Sequence, residues 1–399
     1  MKASEYISSD MLEESHLKLF SPFRLIQMVL GSCRVDAKYR FVTAPTKGQK
    51  IYTIIYLLII LSLYISTYFN YILRFCSYPI IYYLNLFSIS IHYGTFACNV
   101  IHVRFINNDL NVKFYVRMQD IDRKLKIEKN ELINNVLYKA NLITVSVFLF
   151  LLLLLFVITI TGDMTLVINF AGPFLAELTS IFEYLFCTNL LIYFYLRIRY
   201  INAILINYIQ GTTDINIEKV QRKKFFLTMK VLRYLASKTH DFQYSDTDVY
   251  LKNILEEILR FQFLYQFQLF LFSFKFVTTS LMAFEYGIQG LQNNIMQWFE
   301  YLLLPTITVI YLIIIIVTCI RLEAFFKEIR YTKYLCIKVL SRIYSGPLRQ
   351  KAIRMLKMIK EKPPQLSVYG MWNMDTSTMI SMINMVTTLM VTLLQFSVL

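Results

Sequence analysis

Charge is nearly absent from seven stretches of this chain and concentrated in the segments between them. The apolar runs cover 51–69, 79–103, 141–162, 167–196, 264–291, 300–320 and 379–398. About 20 predominantly apolar residues carry a helix across a bilayer. The pattern therefore predicts an all-α polytopic membrane protein with seven transmembrane helices. Runs two, four and five contain His, Glu or Lys, so their limits are less sharp than those of the Leu-rich third. Connections are short after spans one, three and five and run to dozens of residues after two, four and six.

The long links are patterned too. Residues 247–263 and 320–344 repeat apolar side chains at helical spacing with charge on the other face. Span six and 320–344 read as one helix that outruns the membrane. Together with 113–139 and 197–209, these segments predict a packed helical anchor layer on one side, drawn mainly from about 197–263 and 320–378. Residues 1–50 form a separate N-terminal segment without the basic and apolar regions of a signal peptide. Within it, 17–31 suits a short helix, either lying at the membrane surface or packed into the fold.

Composition agrees: the 399 residues are 56% hydrophobic and 17% charged, with 32 Phe and 29 Tyr. The net charge of +15 would suit a nucleic-acid partner, but the basic residues sit between apolar runs, so none is expected. Their placement orients the chain instead. Lys and Arg number 8 before span one, 8 in 104–139, 11 in 197–260 and 12 in 321–362, which is 39 of 41. The positive-inside rule then puts the N-terminus and long links in the cytoplasm and the C-terminus outside. That arrangement is the reverse of G-protein-coupled receptors.

Enzyme chemistry has no foothold. Phosphate loops, CxxC pairs, HExxH and Gly-x-Ser-x-Gly are all missing, and the four histidines are scattered, so no catalytic residue, metal or cofactor is expected. The six cysteines leave only Cys76 outside, too few for an external disulfide. More informative are the ionisable residues inside spans four and five, Glu177, Glu183, Lys275 and Glu285, which are costly there unless paired or hydrated. Glu183 and Lys275 share a depth along their helices, which predicts a buried ion pair that fixes packing; a ligand or gating contact is the functional alternative.

The last span carries no Lys, Arg, Asp or Glu from Met379 onward, yet Thr388, Thr392, Gln395 and Leu399 follow i, i+4, i+7, i+11 spacing. Such a polar stripe either packs against other helices or lines water. Thr388, five apolar-or-Thr residues and Gln395-Phe396 resemble the Thr-Tyr-five-hydrophobic-Gln-Phe signature of insect gustatory receptors. Leu389 departs from the family's Tyr. Upstream, Gly370-Met371-Trp372-Asn373-Met374-Asp375 is similar to the stretch that enters the family's last helix, and Leu30-Gly31 to the pair preceding its first span.

The resemblance implies a tastant-gated, non-selective cation channel in the plasma membrane of a sensory neuron dendrite. It further implies a homotetramer, or a hetero-oligomer with other gustatory receptors, in which residues 379–399 form the pore helix. Thr388, Thr392, Gln395, Phe396 and the Leu399 carboxylate would then line pore and gate. Permeating cations and membrane lipids would be its other partners. Sugar-receptor relatives carry Glu where Thr388 stands, which favours a bitter or plant-derived small molecule over a fructose-type sugar. The pocket is expected in the outer halves of spans two to six. Candidates there are Tyr82, Tyr83, Asn85, Ser88, His92, Thr159, Thr161, Asn169, Glu177, Thr278, Phe284, Trp298, Tyr301 and Thr306. A secondary transporter using the charges of spans four and five is the competing class, although no inverted repeat is visible.

Overall fold

The computed structural model describes residues 11–38, 40–70, 72–127, 131–162, 167–211, 232–233, 246–293, 298–361, 363 and 365–398. The helices are α1 (Glu14–Val29), α2 (Lys47–Asn70), α3 (Pro79–Phe105), α4 (Asn108–Lys124), α5 (Glu131–Gly162), α6 (Val167–Gly211), α7 (Thr247–Asn293), α8 (Trp298–Arg342), α9 (Pro347–Glu361) and α10 (Thr376–Val398). Among the described residues two small antiparallel pairs accompany the helices, β1 (Asp36–Lys38) with β2 (Phe41–Thr43) and β3 (Ser367–Val368) with β4 (Trp372–Asn373). Among the described residues, seven helices are long and apolar enough to cross a membrane: α2, α3, α5, α6, α7, α8 and α10.

Three of these overshoot a bilayer. Helices α6, α7 and α8 have 45, 47 and 45 residues. At ~1.5 Å per residue each is about 70 Å long, against a hydrocarbon core of ~30 Å. Residues 247–263 and span five are thus one helix, which has no Gly or Pro to interrupt it before Gly287. Span six and 320–342 are likewise continuous, as their periodicity predicts. Span three begins earlier than its apolar core, because the polar turns from Glu131 on continue the same helix.

Helix α6 is the axis of the molecule. In its apolar window 83% of residues are buried, against 6% for α10. Phe182, Phe186, Tyr193 and Phe194 fill the space around it, and α2 crosses it closely at Gly172. A Cβ at 172 would lie 2.7 Å from Leu63 Cβ, so only glycine permits that approach.

Helix α1 is packed rather than free. Leu19, Phe20 and Phe23 are buried towards α5 and α6, while Leu25, Met28 and Val29 remain exposed. It ends on Gly31 (φ +66°), with Ser32 N–H donating to Gln27 O at 2.9 Å, a Schellman closure that turns the chain inward. That is the physical content of the Leu30-Gly31 pair.

Beside it, α1, α4 and α6 are joined at Asp122. The Arg197 guanidinium donates to both carboxylate oxygens, at 2.9 and 2.8 Å, and Tyr193 Oη donates at 3.0 Å. His16 Nδ1 lies 3.4 Å away. Burial opposes ionisation of Asp122, but Arg197 outweighs it and holds the carboxyl below its ordinary range.

Entry to α10 is built from the 370–375 stretch. Tyr369 (φ +51°) and Gly370 (φ +72°) take positive φ in the turn joining β3 to β4, which Met371 N–H closes by donating to Val368 O at 2.9 Å. Trp372 stacks on Phe270 at 6.1 Å, and Asp375 Oδ1 accepts from the Thr378 amide at 2.7 Å, capping the helix.

Candidate functional site

Six helices, α2, α3, α5, α6, α7 and α8, line a partly open cavity of about 250 Å³. An apolar cavity of ~150 Å³ already accepts benzene, so this one has room for a larger ring compound. Its walls are mainly aliphatic and aromatic, including Leu152, Phe156, Phe174 and Ile307.

Its polar groups gather around Glu177. Lys275 Nζ and His92 Nδ1 each lie 2.7 Å from Glu177 Oε1, and Tyr311 Oη donates to Oε2. The carboxylate is thus neutralised by one ammonium and held by two further groups, which makes its burial tolerable. Elsewhere on the wall Tyr64 Oη, Asn85 Nδ2 and Thr279 Oγ1 are buried without a hydrogen-bond partner among the described residues. All three can donate.

The expected Glu183–Lys275 pair does not form. Glu183 lies about 9 Å further along α6 than Glu177 and roughly 120° round the axis, so it faces a different neighbour. It accepts from Gln27 Nε2 and Ser32 Oγ, both at 2.8 Å, with Arg34 Nε at 3.8 Å. Arg34 is buried and stacks on Tyr265 at 4.1 Å. Matching depth along two helices says nothing about azimuth, and the limits of a 45-residue helix left the midpoint of span four undefined.

Of the other candidates, Asn85, Ser88, His92, Thr159 and Glu177 line the cavity. Tyr82 instead meets Tyr68 Oη at 2.9 Å, Tyr83 is exposed, and Thr278 bonds back to Phe274 O while its neighbour Thr279 faces the cavity. Phe284 is half-buried outside the cavity lining. The side chains of Asn169, Trp298 and Tyr301 lie outside the described residues. Sequence reading missed Tyr64 and Thr67 in the lining, because span one was not expected at the pocket, and Tyr311, which holds Glu177 from behind it.

The second candidate feature is α10. Val386 is buried, and Met379 and Met390 pack against the core, so one face meets the chain's own bundle. At ~100° per residue, Gln395, Thr388 and Thr392 lie about 180–240° from Val386. Thr388 and Gln395 are exposed and Thr392 half-exposed, so the polar stripe points away from the rest of the chain. The Phe396 side chain and Leu399 lie outside the described residues. Among the described residues no cluster of three or more His, Cys, Asp or Glu could hold a metal ion. No protein-family model matches this chain, and no curated protein matches it.

Proposed function

We propose that this chain is one subunit of a ligand-gated, non-selective cation channel of the insect gustatory-receptor type. The observation that carries the reading is the two-sidedness of α10. One face packs on the bundle while the Thr388–Thr392–Gln395 stripe is turned outward and left uncovered. Hydroxyl and amide groups facing lipid gain nothing, whereas facing copies of themselves round an axis they line a hydrated path. A homotetramer in the plasma membrane, with the basic links in the cytoplasm, supplies that axis. Assembly with related subunits serves equally.

The ligand is a small, mainly apolar compound taken into the six-helix cavity. Its aliphatic and aromatic walls suit a bitter or plant-derived molecule, and a fructose-type sugar would leave many hydroxyls facing hydrocarbon. A second reading, a secondary transporter, draws on Glu177 and His92, which line that cavity, with Lys275 paired to Glu177. Expressing the chain alone and screening a ligand panel separates them. Ligand-evoked, cation-carried current with no accumulation of ligand supports the channel; saturable uptake of radiolabelled ligand without unitary current overturns it.

A further inference from the structure

We infer that the corner where α1, α2 and α3 meet binds the phosphate headgroup of an anionic membrane lipid. A separate cavity of about 160 Å³ opens there, lined by Arg24, Asp36, Gly48, Gln49 and Arg104 among others. It lies roughly 24 Å along α2 from the ligand cavity, taking the 16 residues between Gly48 and Tyr64 at ~1.5 Å each. At ~30 Å³ per water the space holds about five waters, enough for a phosphate group.

Two guanidinium groups enter it incompletely satisfied. Arg104 is 3% exposed; one arm donates to Cys33 O, and its Nε has no partner among the described residues. Arg24 donates to Ala37 O at 2.9 Å, and its Nε is also buried and unpartnered. A buried N–H without an acceptor costs about 1–3 kcal/mol, more on a charged group, so the site calls for an anion with several oxygens. The first turn of α2 adds to this. Thr46 and Gln49 cap each other reciprocally, which leaves the Lys47 and Gly48 amides at the positive end of the helix dipole. Gly48 has no side chain, and open space surrounds it, so an anion can reach its backbone. Lys47 and Lys50 reinforce the positive field, which the Asp36 carboxylate offsets only in part.

The surroundings select a lipid over a free ion. Met28 lines the cavity, and Leu25, Ile51 and Ile55 on the same two helices, α1 and α2, are likewise large, apolar and exposed, offering surface for acyl chains.

Native mass spectrometry of the full chain in detergent, with phosphatidic acid, phosphatidylcholine or inorganic phosphate added, tests this. Wild type should retain phosphatidic acid over phosphatidylcholine. That preference should fall at least fivefold in Arg24→Gln and in Gly48→Glu. The second variant places a carboxylate in open space, so its elution volume should match wild type even if Arg24→Gln misfolds. An unchanged preference in Gly48→Glu, or an equal loss of phosphatidylcholine, overturns the site. Displacement of phosphatidic acid by equimolar inorganic phosphate overturns the lipid as its source.

Discussion

Two buried carboxylates show how differently a charge can be housed. Asp122 accepts both arms of Arg197 and the Tyr193 hydroxyl. Removing its charge should cost ~3 kcal/mol or more, because Arg197 would stay buried and unpaired. Its folded pKa is depressed, so its contribution is complete above the ordinary Asp pKa of about 4 and is lost as pH falls through the lowered value. Asp122→Asn should therefore lower the unfolding temperature in detergent at pH 7, with the gap to wild type closing below about pH 4. A constant gap across that range would show that the carboxylate's charge does not hold the junction. Glu177 is supported by three groups, whereas the one carboxylate paired with Lys275 among the described residues is Glu177, with the Tyr311 ring 5.9 Å from its ammonium. Glu177→Gln should thus reduce folded surface protein more than Lys275→Met. Exchanging the two charges should not restore it, since His92 and Tyr311 would then face an ammonium. Full recovery in the exchanged variant would contradict this geometry.

At the scale of the element, α10 is the least buried of the seven described helices able to span a membrane. Its fixed points are the Asp375 cap and the Val386 face. Gln395 should be accessible from the outer solution if the stripe lines a pore. In a background lacking Cys76 and Cys98, both exposed, Gln395→Cys should become sensitive to external membrane-impermeant thiol reagents. Gln395→Ala or Gln395→Glu should shift relative cation permeability or basal current. Conduction with unchanged selectivity and no thiol sensitivity would remove α10 from the outer pore, leaving Gln395 as a helix–helix contact.

For the whole molecule, sidedness rests on the distribution of basic residues. Four of them, Arg34, Arg104, Arg197 and Arg199, are buried. Such residues speak less for a cytoplasmic surface than solvated ones do. Discounting all four still leaves the excess on the same side in every long link. An epitope tag after Leu399 should accordingly be reached by antibody on intact cells, and one before Met1 only after permeabilisation. The opposite labelling would remove both the orientation and the channel reading that depends on it.

The length of the apolar runs by itself determined the number of long apolar helices, and periodicity the fusion of span six with 320–342 and the polar stripe of α10. Each of these depends only on residues along one helix, and 3.6 residues per turn is a local property. The Leu30-Gly31 and Gly370–Asp375 stretches stood out only as resemblances, and the structure supplies their roles as helix stop, turn and cap. What the spacing could not decide was which faces meet. Lys275 pairs with Glu177 rather than Glu183 because partner choice depends on the rotation of α6 against α7. Thr279 rather than Thr278 faces the cavity for the same reason, a difference of about 100°. Span one reaches the cavity because Gly172 lets α2 approach α6. Arg34 enters the interior because the chain folds back after Gly31. Those outcomes are set by packing among helices distant in sequence, and only the tertiary structure fixes it.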